Sequence, residues 1–238
     1  MNNYQTNAYS DTQSLDRHVS RVMRNVYLKM FIGLLITAFV AWGIAVTATP
    51  GSGFMHLLMT NRWLYWGLAI AELGLVMGIT AGINRMSSPV VTLLFLLFSA
   101  LNGLTLSLIF AVYDIGSIFK TFFITAGTFG AMSVYGYFTE KDLTKIGSFL
   151  TMALFGLIIG FIVNIFWANG TFDWILSGVG VLIFIGLTAW DTQKIKNMAM
   201  QMPGATDGRL ATVGALSLYL DFINLFLMLL RFFGASRD

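Results

Sequence analysis

Three carboxylates stand inside long apolar runs of this chain: Glu72, Asp191 and Asp221. A charged side chain at membrane depth is costly, so acids there face a bundle interior or a water-filled cavity and mark an ion or proton path. The residues four before and three after Asp221 share its helical face, and they are Ser217 and Asn224. The last apolar run therefore carries a polar stripe. At 1.5 Å per residue, Asp221 lies roughly 15 Å from the start of its run, and Asp191 roughly 10 Å from the end of the one before. The two reach similar depth on consecutive helices. Two close carboxylates do not both ionise cheaply, so the pair shares a proton over some range of pH. When both ionise they repel, and they then suit a hard cation such as Ca²⁺. The plainer reading makes each a neutral, hydrogen-bonded structural acid. Glu72 has no Lys or Arg at its depth, and a pathway role and a structural role are equally open for it.

Helices crossing a bilayer must position these acids. The 238 residues are 57% hydrophobic and 11% charged, with a mean hydropathy of +0.76. A soluble domain of this size does not hide so much apolar surface. Seven spans are expected at about 28–48, 63–83, 90–112, 118–138, 147–168, 174–198 and 211–233. Residues 1–26 read as a polar, mostly disordered tail ending in a short basic surface helix with Arg17, Arg21 and Arg24, and 27–238 as one transmembrane domain. The first run is too long for a signal-peptide core. Pro50-Gly51-Ser52-Gly53, Thr139-Glu140-Lys141-Asp142 and Pro203-Gly204 mark connections. Gly74, Gly78 and Gly82, and Gly156 and Gly160, form small-residue faces expected to pack tightly inside the bundle. Asn102 and Asn164 suit interhelical hydrogen bonds, and Trp63, Trp66, Trp167, Trp174 and Trp190, mostly near span ends, suit interface anchors.

Ten of the 14 Lys and Arg residues fall on one side of the spans, that of the N-terminus, and four on the other: Arg62, Lys120, Arg231 and Arg237. The positive-inside rule then places the N-terminus in the cytoplasm and the C-terminus outside. No cysteine is present, and His18 and His56 are the two histidines. Thiolate and histidine-rich metal sites are thereby excluded. No zinc-protease, serine-hydrolase or nucleotide-loop motif occurs, no basic stripe suits nucleic acid, and the seventh span has no lysine for retinal. A non-enzymatic protein without a cofactor is expected.

Two segments are specific. Ala189-Trp190-Asp191-Thr192-Gln193-Lys194-Ile195-Lys196 and Leu218-Tyr219-Leu220-Asp221-Phe222-Ile223-Asn224-Leu225-Phe226 resemble the C-terminal signature of the Bax inhibitor-1 (TMBIM) family. Ala100-Leu101-Asn102-Gly103-Leu104-Thr105-Leu106-Ser107 and Tyr135-Gly136-Tyr137-Phe138-Thr139-Glu140-Lys141-Asp142-Leu143 are similar to its bacterial branch. The resemblance runs from about Leu28 to Gly234. It implies an all-α membrane fold, with six helices around a central C-terminal seventh. It also implies a calcium leak gated by pH through an aspartate pair, here Asp191 and Asp221, which are also the candidate calcium ligands. Glu72 matches an acid that lines the conduit. The family's arginine latch on the sixth-helix aspartate has its nearest counterpart in Arg85, two residues past the matching position, which holds Ile83. The partners expected are the bilayer of a bacterial inner membrane, calcium and protons. Two alternatives remain open: an interaction protein modulating a membrane protease or stress response, and a proton-coupled cation exchanger.

Overall fold

A computed structural model describes residues 2–48, 53–83, 85–201 and 207–235, with side chains from residue 13 onward except Asp207. The elements are α1 (Asn2–Thr47), α2 (Gly53–Thr60), α3 (Arg62–Gly82), α4 (Ser88–Leu106), α5 (Ile109–Val112), α6 (Ile115–Phe138), α7 (Thr144–Trp167), α8 (Gly170–Gln201) and α9 (Asp207–Phe233). No strand occurs among the described residues. Seven of the helices are long and apolar enough to cross a membrane: α1, α3, α4 continued through α5, α6, α7, α8 and α9.

Local chemistry sets the ends. Asn61 Oδ1 accepts the amides of Trp63 (3.1 Å) and Leu64 (3.2 Å) at the start of α3. Asp114 Oδ2 does the same for Gly116 (2.8 Å) and Ser117 (3.3 Å) at the start of α6. Pro89 lies in the first turn of α4, where its missing N–H costs nothing. α7 stops at Ala168, whose φ of 48° is left-handed and whose N–H bonds to Asn164 O.

Three expectations need correction. The N-terminal segment is helix from Asn2 onward, continuous with the first span. Val19, Val22, Met23 and Val26 of that stretch lie in the core. Their three- and four-residue spacing gives this segment an apolar face that its polar composition conceals. The third expected span is interrupted after Leu106 and resumes as α5. Of the small-residue faces, Gly160 does pack closely, against Leu176, and Gly82 meets Met86, but a Cβ added at Gly74, Gly78 or Gly156 would meet nothing. Those three glycines face outward. Pro50 to Ser52 and Pro203-Gly204 lie outside the described residues.

α9 forms the centre of the packing. In its most apolar stretch 72% of residues are buried, against 6% for α3 and for α7. It packs against α1, α3, α4, α6 and α8, while α7 packs chiefly on α8. Two glycines bring backbones together beside the acids. A Cβ on Gly136 of α6 would fall 2.1 Å from Ala189 O of α8, and one on Gly103 of α4 would fall 2.8 Å from Thr37 O of α1. Between α1 and α6 an apolar cleft of about 480 Å³ opens, floored by Phe222, Ile223 and Phe226 of α9.

Candidate functional site

Both aspartates sit on the two helices that share the most extensive packing, α8 and α9. α8 and α9 extend three or four residues past their expected ends on either side of the α8–α9 connection, so each acid stands further along its helix from that end than the sequence placed it. Asp221 is buried, 5% exposed, and its Oδ2 has no hydrogen-bond partner. Asp191 is largely buried and interacts electrostatically with Asp221, and Lys194 interacts with both. Lys194 is one helical turn from Asp191 and lies over the Trp190 ring, 4.8 Å from its centroid. Trp190 in turn fills the space left by Gly147 of α7, so it is a packing residue rather than an interface anchor. The neighbours of Asp191 are tied down. Ser133 Oγ of α6 lies 3.0 Å from Thr192 Oγ1 and 2.5 Å from Tyr27 OH of α1. Gln193 accepts from Leu143 N (2.9 Å) and donates to Lys141 O (2.8 Å), and Lys196 donates to Tyr137 O (2.7 Å). Among the described residues no hydrogen bond is donated to the Asp191 carboxylate.

The expected stripe on α9 is present as a face but is not bonded together. Asn224 Nδ2 donates to Leu220 O in its own helix at 2.8 Å, and Ser217, two turns earlier, is half-buried. Arg85 is exposed, and its side chain reaches neither aspartate. The arginine that touches the end of α3 comes from α9: Arg209 Nη1 donates to Ile83 O at 3.2 Å. Lys29, counted in the sequence only for topology, bridges α1, α4 and α9 near the start of α9. Its ammonium donates to Thr92 Oγ1 (2.9 Å), Gly208 O (3.0 Å) and Thr212 Oγ1 (2.5 Å).

Glu72 finds partners that the sequence did not reveal. Thr105 Oγ1 donates to its Oε1 at 2.6 Å and Asn102 Nδ2 to its Oε2 at 3.2 Å. Asn102 Oδ1 accepts from Tyr219 OH of α9 at 2.9 Å. Tyr219 OH lies 2.6 Å from Thr37 Oγ1 of α1. Tyr219 is wholly buried, with its ring edge-on to Phe95 and Phe98. A polar chain thus crosses from α3 through α4 and α9 to α1. Its one signal in the sequence was the mid-span Asn102. The expected interhelical role of Asn102 holds, with Glu72 and Tyr219 as its partners. Asn164 likewise bonds between helices, donating to Asp173 Oδ1 of α8 at 3.5 Å, and it also accepts from Asn169 N at 3.1 Å in the α7–α8 turn.

Comparison with known proteins identifies the family. The family described as "Inhibitor of apoptosis-promoting Bax1" matches residues 19–238. The chain is 51% identical over 218 residues to the inner membrane protein YbhL of Escherichia coli K12, covering 90% of this chain and 92% of that one. It is 45% identical over 221 residues to an uncharacterized protein of Borreliella burgdorferi, covering 92% and 94%. A Rickettsia prowazekii protein is 40% identical over 230 residues, covering 96% and 95%. With its seven span-length helices, the chain is a membrane protein of the Bax inhibitor-1 family.

Proposed function

We propose that this protein is a pH-sensitive, Ca²⁺-permeable leak of a bacterial inner membrane, with no enzymatic activity and no cofactor. The observation that carries the reading is Asp221 Oδ2, buried without a hydrogen-bond partner beside a second acid. A carboxylate oxygen left unpaired at that depth is costly unless a proton or a cation occupies it. A proton shared with Asp191 holds α8 against α9. When that proton leaves, two like charges face each other and the contact weakens, with Lys194 offsetting part of the repulsion. The latch taken alone closes the route in acid and opens it in alkali. Glu72, half-buried on α3, is assigned to the conduit on the same reading. The inner-membrane assignment draws on the E. coli relative's name, and the orientation, N-terminus inside, on the distribution of Lys and Arg.

Flux from liposomes holding the purified protein tests this. Passive Ca²⁺ release that varies with pH, faster than release of K⁺ or Na⁺, is expected. Uphill Ca²⁺ movement driven by an imposed pH gradient would make the protein an exchanger. No flux at any pH would leave the acids as structural groups and favour an interaction role.

A further inference from the structure

The polar chain that begins at Glu72 has fewer hydrogens than its contacts require. Thr37 Oγ1 carries one hydrogen and faces three oxygens: Gly33 O at 3.0 Å, Ser99 O at 2.8 Å and Tyr219 OH at 2.6 Å. Tyr219 OH also carries one hydrogen and lies between Thr37 Oγ1 and Asn102 Oδ1. Thr37, Ser99 and Tyr219 are all buried, so water does not supply the missing donors. The direction in which this chain donates is therefore set at its one half-exposed, titratable end, which is Glu72.

Two directions satisfy every group. With Glu72 ionised, Thr105 O–H and Asn102 N–H donate to the carboxylate. Tyr219 O–H then donates to Asn102 Oδ1, and Thr37 O–H to Tyr219. With Glu72 protonated, Thr105 still donates to one oxygen, and the new O–H needs an acceptor. Rotation of the Asn102 amide exchanges its O and N and provides one. Asn102 N–H then donates to Tyr219, Tyr219 O–H to Thr37, and Thr37 O–H to Ser99 O. A single proton arrives from water at Glu72, and every other hydrogen stays on its own atom. We infer that Asn102 is a positioning residue that reports the charge of Glu72 to Tyr219, and so to the helix carrying Asp221.

The surroundings leave Glu72 in control of this switch. α4 carries no charged residue, α2 carries His56, and α9 brings Tyr219 and Asp221, with Asp207, Arg209 and Arg231 toward its ends. The functional weight of the relay, coupling of a conduit acid to the gate, rests on the leak reading; its existence does not.

Infrared difference spectra of the full chain in liposomes, with ring-deuterated tyrosine, test it directly. Tyr219→Phe assigns the Tyr219 band and Glu72→Gln assigns the carboxyl band. In the wild type both bands are expected to change with one midpoint. In Glu72→Gln the Tyr219 response should vanish. In Asn102→Leu the Glu72 band should still titrate while Tyr219 stays silent. Thr37→Val, which keeps the side-chain shape, should shrink the Tyr219 response even where Asn102→Leu fails to fold. A Tyr219 band that stays fixed while Glu72 titrates overturns the relay, as does one that still responds in Glu72→Gln. So does a Glu72 band that stays constant wherever the Tyr219 band changes. Loss of this coupling alongside intact pH-gated Ca²⁺ flux refutes the relay alone. Coupling without flux refutes the leak alone.

Discussion

Asp191 and Asp221 differ in what surrounds them, and the difference decides what each substitution does. Asp221 is enclosed and has an oxygen without a partner, whereas Asp191 lies one turn from Lys194. Asparagine at either position keeps the shape and removes the charge. Each single variant should change the pH dependence of Ca²⁺ release, and the double variant should not give the sum of the two, because a coupled pair titrates as one unit. Wild-type pH profiles in both singles would end the dyad mechanism. Glu72→Gln should lower flux several-fold while the detergent-solubilised protein stays folded, measured by flux and by monodisperse elution. An acid outside the membrane provides an internal control. The Thr144 side chain and backbone, with Lys145, hold the Asp142 carboxyl below its usual range. A lowered carboxyl stabilises the fold above its unfolded value of 3.8 and loses that effect only as pH falls further. Asp142→Asn should therefore leave the flux profile unchanged at neutral pH. The three membrane acids were legible in the sequence because a charge in an apolar run stands out. Their partners were not, since Thr37, Thr105 and Tyr219 are ordinary residues until helices distant in sequence meet.

At the level of elements, the spans were legible from apolar length, and the misreadings came where composition and packing disagree. The end of the polar tail is helix because Val19, Val22, Met23 and Val26 return to one face at helical spacing. Glycine spacing alone did not say which glycines pack. Gly74 and Gly78 share a face that meets nothing, while Gly136 and Gly103, with no such repeat, allow backbone-to-backbone approach. Gly136→Val would force side-chain atoms into the Ala189 peptide. A loss of about 3 kcal/mol or more is expected, read as a lowered unfolding midpoint in detergent. Gly74→Val, facing open space, should cost nothing and gain a few tenths of a kcal/mol, because valine has the higher helix propensity.

For the molecule as a whole, the seven-span architecture followed from hydropathy, whereas the depth of burial of α9 did not, since its composition resembles that of its neighbours. The outer end is held by a single described ion pair, Arg231–Asp173 at 3.0 Å, with both side chains about 40% exposed. Such a pair contributes little, about 0–1 kcal/mol. The inner end is held by Lys29 and its three acceptors on α4 and α9, so Lys29→Met should destabilise the bundle more than Arg231→Met. Orientation is tested separately. A periplasm-active reporter fused after Asp238 should give signal, and one fused after Arg24 should give none; the reverse pattern would invert the membrane placement.

The contact between Gly136 and the Ala189 carbonyl leaves no side chain to compress between α6 and α8. A rocking of α8 on α6 that released the Gln193 and Lys196 bonds would pivot at this contact. Asp191 is two residues from it and Gln201, at the inner end of α8, is twelve. At 1.5 Å per residue the two lever arms are about 3 Å and 18 Å, so a rocking motion that moves Asp191 slightly swings Gln201 about six times as far. A separation of the two acids too small to resolve at the acids themselves would then be plain at the far end of α8. A spin label at Gln201, paired with one at Lys141, should report that swing between acid and alkaline pH.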